Sequence, residues 1–130
     1  MIWSLTRRDG DSVATMQRIC ELIQVRPEAI AEYKRIHAEV WPTVLARLRA
    51  SNITNYSIYL REPENLLIAY YEYVGDDLAA DQAAIAADPE TQRWWVVADP
   101  MQQPLSSLPP AEGSQGGGWW APTEEVFHLD

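Results

Sequence analysis

The order of strand-like and helix-like segments leaves this chain few folds to choose from. Arg18–Val25 alternates, with Ile19, Ile23 and Val25 on one side, Glu21 among them, and Cys20, Leu22 and Gln24 on the other. Arg26-Pro27-Glu28 stops that strand and opens a helix, because Pro fits a first helical turn and an acid suits its positive end. Ile30, Tyr33, His37 and Trp41 then recur at helical spacing up to Pro42, which breaks the helix and can begin the next one. Val44, Leu45 and Leu48 give that second helix an apolar face as far as about Ala50. Ile53–Leu60 and Leu66–Val74 read as the two strands of a hairpin around a turn containing Pro63. Gly75-Asp76-Asp77 leads into an Ala-rich helix over Leu78–Ala87, and Asp88-Pro89-Glu90 caps another that runs to about Ala98. Residues 102–122 are rich in Pro and Gly and predict a long loop, of the length that usually forms a lid or binding element or else is disordered. Glu124–Leu129 predicts a terminal strand.

The resulting order, β-α-α-β-β-α-α-β, is that of an α+β, ferredoxin-like split βαβ domain. Its sheet has helices on one face and nothing on the other. A bare apolar face needs cover, and a second copy is the usual solution, so a homodimer in the form of a dimeric α/β barrel is expected. A length of 130 residues fits one such domain. Residues 1–15 are polar and lack a period, which predicts a peripheral N-terminal extension to a single domain over 16–130.

Charge narrows the partners. A formal net charge of −9 argues against nucleic acid, whose phosphates demand a basic surface, and against an anionic membrane. It suits a neutral substrate. Cys20 is the one cysteine, so an intrachain disulfide and a zinc cluster are excluded. The N-terminus carries no apolar signal-like region and no apolar run is long enough to span a bilayer, which makes the cytoplasm the expected location. Motifs of the GxGxxG, P-loop, GxSxG and HExxH types are absent. The aromatic content is six Trp and six Tyr against one Phe, and such rings join a flat apolar face to a polar handle, as a sugar site requires.

Particular residues stand out. His37 lies four residues after Tyr33 and four before Trp41, so all three share one helical stripe; a packing role and a proton-transfer role both fit. His128, the other histidine, reads as a surface or interface residue. Trp94 and Trp95 project about 100° apart on their helix, so one can face the core and the other a cleft. Trp119 and Trp120 follow a run of glycines in the long loop, where large aromatics tend to cap a pocket or a dimer seam. Tyr56 and Tyr59 have opposite parity; Tyr71 and Tyr73 share one strand face, Tyr70 and Glu72 the other. Glu72, between Tyr71 and Tyr73, is a candidate for a raised pKa and a proton carrier, or else a rim carboxylate.

At EYKRIHAEVWP, NYSIYL, NLLIAYYEY, ETQRWW and EEVFHL the chain resembles the L-rhamnose mutarotase family, from near Met16 to the end. The resemblance implies a dimeric ferredoxin-like barrel that uses no cofactor and interconverts the anomers of L-rhamnose or a related 6-deoxyhexose such as L-fucose. It implies that His37 is the proton donor and that Tyr33, Tyr56, Trp94 and Trp95 bind the sugar; Trp119 and Trp120 are further candidates from their place in the loop alone. Residues 1–15 and the insert at Gly113–Trp120 depart from the family pattern. Anomers exchange by opening the ring to the aldehyde, turning about C1–C2 and closing again. Opening needs a proton on the ring oxygen and the loss of one from the anomeric hydroxyl, and imidazole suits two-way transfer near neutral pH. Glu72 or a bound water is the expected second partner. Two other readings share this barrel: a monooxygenase, haem-degrading or cofactor-free, and a non-catalytic sugar-binding protein.

Overall fold

The structure is a computed structural model that describes residues 16–105, 113 and 119–130. The expected N-terminal extension at 1–15 and the centre of the Gly113–Trp120 insert lie outside the described residues. Strand β1 (Gln17–Val25) is followed by a short 3-10 turn at Pro27–Ala29, then helices α1 (Ile30–Ala38) and α2 (Pro42–Ala50). A hairpin of β2 (Ile53–Arg61) and β3 (Leu66–Tyr73) comes next, then helices α3 (Leu78–Ala87) and α4 (Pro89–Ala98). Two short strands, β4 (Gln102–Gln103) and β5 (Ala121–Pro122), complete the sheet. The local signals act as expected: Asp77 and Asp88 cap α3 and α4 by accepting the main-chain N–H groups of Ala80 and Thr91, and Pro42 and Pro89 occupy first turns.

The antiparallel sheet runs β2-β3-β1-β4, with β5 also paired to β1. Its two faces differ. On β3, Leu67, Ala69, Tyr71 and Tyr73 are all buried, and they alternate with half-buried residues. Ile23 and Val25 lie on the same side and pack with Tyr33 of α1, while Tyr71, Tyr73 and Ile53 pack with Leu48, Leu78 and Ile85 of the helices. This helix-covered face holds the core. Full burial of side chains such as Ile23, Val25 and Leu67 stabilises the fold by about 1.5–3 kcal/mol each.

Two expectations need correction. The helix beginning after Pro27 does not reach Trp41: α1 ends at Ala38, the chain turns at Glu39, and Trp41 precedes α2 as its N-cap. Glu124–Leu129 is not a strand of this sheet. The outer edge of β1 is taken first by β4, at Gln24 and Val25, and then by β5, at Glu21 and Leu22. Past Pro122, which has no N–H to donate, side chains replace the ladder: Thr123 Oγ1 donates to the Cys20 carbonyl (2.6 Å) and Arg18 forms a two-pronged pair with Glu125 (2.7 and 3.0 Å).

Tyr73 ties β3 to α3. It is fully buried; its hydroxyl donates to Asp81 Oδ2 (2.5 Å) and accepts the Asp77 N–H (2.9 Å). Gly75 leaves room for this, since a Cβ there would collide with the Tyr73 hydroxyl and the Asn52 amide. Tyr73→Phe strands the Asp77 N–H and takes one donor from Asp81. The expected loss is about 1–3 kcal/mol in urea denaturation, at an unchanged m value. A variant as stable as the parent would show that these bonds contribute nothing.

Candidate active site

His37 sits in the last turn of α1, half-buried. Its Nδ1 lies 2.8 Å from the carbonyl of Tyr33, one turn back. A carbonyl can only accept, so Nδ1 carries a proton and Nε2 is the nitrogen left for chemistry. The ring stacks on Tyr33 (centroids 4.0 Å apart, 22° between planes) and meets the edge of Trp94 (5.3 Å, 75°). Trp94 in turn meets Trp41 edge-on (5.2 Å, 79°). The stripe read from the sequence is therefore real in space, although Trp41 joins it through Trp94 and not along one helix. Trp94 is buried, and Trp95 is half-buried against the cluster of Ile36, Val44, Trp94 and Ala98.

The sheet supplies a second wall. Between Thr54 and Ser57 the β2–β3 register shifts by one residue, with Asn55 at φ 49°. Asn tolerates this left-handed conformation better than most residues, and the bulge re-aims the side chains after it. Ile53 pairs with Tyr73 before the bulge and Ile58 with Ala69 after it, so residues on either side face the helices despite their odd separation. Tyr56 is carried with them and stacks on Tyr71 (5.0 Å, 27°). It is 42% exposed, yet protein surrounds it closely enough for burial to push its hydroxyl pKa well up. That combination describes a ring deep in an open concavity. Tyr71 is pushed up to about 12, first by burial and then by the charge of Glu21.

A cleft of about 130 Å³ opens beside Tyr33 and His37, with Ile30, Lys34, Ile58 and Leu60 among its other walls. From the long loop, Trp119 is buried in the cluster of Ile23, Val25, Tyr33 and Leu67, and Trp120 packs against the same cluster. Trp119 Nε1 is buried without a hydrogen-bond partner among the described residues. Gly113, at φ 90°, rests against the Asp99 carboxylate, where a Cβ would not fit. The described parts of the loop thus fold back over the helix side of the sheet.

Glu72 is elsewhere. It lies on the other face, accepts from Tyr70 Oη (2.7 Å) and Asn55 Nδ2 (3.1 Å), and its pKa is lowered, chiefly by the Tyr70 bond. The expected raised pKa is not found, because two donors hold the charged form. Tyr59 is exposed, as its parity relative to Tyr56 requires. His128 pairs with Asp130 at the surface (2.9 Å), away from His37. Sequence reasoning misses Glu21. Its signal is an acid among Ile19, Ile23 and Val25 on the covered face of β1.

Burial lowers the pKa of His37 below the ordinary histidine value, against a smaller upward effect of the Tyr33 carbonyl. The unfolded chain therefore binds a proton at a pH where the folded one does not. Stability from this residue is complete above the ordinary histidine range and falls as the pH drops through it toward the lower folded value. His37→Gln should flatten the pH dependence of urea unfolding in that window. An unchanged slope would contradict the buried neutral imidazole.

This geometry, an imidazole tied to its own helix and walled by Tyr and Trp, can be set beside known proteins. A family model described as L-rhamnose mutarotase matches residues 18–129. The L-rhamnose mutarotase of Shigella flexneri is 36% identical over 98 residues, covering 71% of this chain and 91% of that protein. That of Verminephrobacter eiseniae is 34% identical over 105 residues, covering 80% and 88%. The crystal structure of an L-rhamnose mutarotase from Formosa agariphila has the same fold, with a TM-score of 0.66 over 88% of this chain and 99% of that one, at 22% identity. With its model matched along nearly the whole described domain, the chain belongs to the L-rhamnose mutarotase family, a family of isomerases.

Proposed function

We propose that this protein interconverts the α and β anomers of L-rhamnose by acid/base ring opening and closure, with His37 as the proton donor. The observation that carries this reading is the state of His37. Its Nδ1 is fixed by the Tyr33 carbonyl, its ring is placed by aromatic neighbours, and Nε2 has no protein hydrogen bond among the described residues. Tyr33, Tyr56, Trp94 and Trp95 are assigned to the sugar, for flat aromatic faces complement its C–H patches. The apolar cleft wall of Ile30, Ile58 and Leu60 suits the C6 methyl of a 6-deoxyhexose, and L-fucose is the related sugar to compare. Trp119 offers from the loop side an indole N–H without a partner among the described residues, with Trp120 beside it, and the two serve as a cover for the site. The reaction needs no cofactor, since a hemiacetal opens by proton transfer alone. The cytoplasm is the assigned location, where a lone thiol such as Cys20 stays reduced.

The same reading makes the protein a ferredoxin-like homodimer joined through the sheet face that lacks helices. That face carries Leu22, Ile68 and Tyr70, and beside it the extended tail exposes Val126, Phe127 and Leu129 by 88, 62 and 73%. A groove lined by Arg18, Cys20, Glu21, Tyr70, Val126 and Phe127 runs between them. Apolar side chains exposed in such a row call for a covering surface, and a second copy supplies a self-complementary one.

Anomer exchange, followed by magnetisation transfer between the anomeric protons of L-rhamnose, tests the activity. His37→Asn should slow exchange by about 10²–10⁴ while the thermal melt stays close to that of the parent. Exchange near the parent rate would contradict the role of His37. Binding without accelerated exchange in the parent chain would favour a sugar-binding protein. For the assembly, light scattering at micromolar concentration should give twice the 14.8 kDa chain mass; a monomer mass would contradict the dimer.

A further inference from the structure

We propose that Glu21 is the second proton carrier of the anomerisation, acting on the anomeric hydroxyl while His37 acts on the ring oxygen. The inference rests on the mutarotase reading above. Glu21 stands on the helix-covered face of β1 between Ile19 and Ile23, a row otherwise given to the core. Its neighbours across the sheet are Ala69 and Pro122, and beyond Ala69 comes Ile58, a wall of the cleft that holds His37. Ala69 is the small residue in that row. Glu21 and Ile58 stand on either side of it, two strand spacings or about 10 Å apart. Tyr71 and Tyr56, stacked on each other, form the next row of the same face. Tyr33, whose ring lies on His37, belongs to the same buried cluster as Ile23, the next inward residue of β1 after Glu21.

The state of the carboxyl group fits this role. Glu21 makes no hydrogen bond or ion pair among the described residues, and burial alone raises its pKa. The titratable groups around it are Tyr71 on β3, Tyr56 on β2 and, farther off, Tyr33 on α1; both Tyr56 and Tyr71 respond to its charge. A half-buried carboxylate with no protein donor among the described residues is open to one that a ligand supplies. Burial raises Glu21 and lowers His37, so the two proton affinities approach each other, as a pair passing protons both ways requires.

Protons and electron pairs balance over the cycle. His37, once protonated at Nε2, gives that proton to the ring oxygen, which takes the electron pair of the breaking C1–O5 bond. The anomeric hydroxyl gives its proton to the Glu21 carboxylate, and the O–H electrons become the second bond of the aldehyde C=O. After rotation about C1–C2, the 5-hydroxyl adds to the other face of the carbonyl carbon. Its proton returns to His37, and Glu21 returns its own to O1. Both residues end as they began, and nothing is oxidised or reduced.

The test is Glu21→Gln, which keeps size and polarity but cannot take a proton, measured with the parent and with Glu21→Asp by anomer exchange on L-rhamnose. The expected result is a fall in kcat of about 10²–10⁴ in the Gln variant with KM little changed, and partial recovery in the Asp variant. A parent-like kcat in the Gln variant overturns the proposal, and so does a raised KM at unchanged kcat, which marks a binding role alone. If the parent itself fails to speed exchange, the mutarotase reading falls first and this assignment with it. Should the Gln variant not fold, carbon-13 titration of the side-chain carboxyls in the intact protein decides. A carboxyl titrating above the ordinary glutamate range and moving when L-rhamnose is added supports the assignment; the lack of any such signal overturns it.

Discussion

The sidedness of the sheet governs everything else in this molecule. In β1 and β3 successive side chains point to opposite faces, and helices cover only one of them. On the covered side this parity gathers Ile23, Leu67, Tyr71 and Tyr73 into the core. It also sorts the two carboxylates, Glu21 inward and Glu72 outward. The bulge at Asn55 does the same for β2, changing the parity of that strand so that Tyr56 joins the inner set without displacing Ile53. A one-residue slip in any of these strands would turn the aromatic wall out into solvent.

On this base α1 sets the chemistry. Nine residues make it short, and Tyr33 and Ile36 anchor it to the core. His37 is then held by its neighbours: one ring nitrogen on a backbone carbonyl, one face on Tyr33, one side against Trp94. Few degrees of freedom remain for the imidazole, which serves proton transfer to a bound sugar better than a mobile side chain does. The burial that fixes the ring also keeps it neutral more often than a surface histidine would be.

Much of this is legible in the residues. The strand and helix order from β1 to α4, the caps at Asp77 and Asp88, and the association of Tyr33, His37 and Trp94 agree with spacing and local chemistry. Three things are not. Period-two alternation gives parity but not which face is covered, so the flanking tyrosines single out Glu72 while Glu21 passes for one more member of a core row. The terminal segment carries the apolar composition of a strand, but the edge of β1 is already filled by β4 and β5 in the described fold, and Val126 and Phe127 stay exposed. That Trp119 joins the buried cluster of Tyr33 across the sequence is a tertiary feature, invisible to any local pattern.

In the proposed reaction one sugar occupies one chamber, with its reactive edge between α1 and β1. A crystal structure of this protein with L-rhamnose bound tests this arrangement without an intermediary. The pyranose is expected on the helix-covered face, stacked near Tyr33 and Tyr56, with its ring oxygen within hydrogen-bond reach of His37 Nε2. A sugar seated on the opposite face beside Tyr70 and Glu72, or one with no contact to His37, would contradict the proposed chemistry.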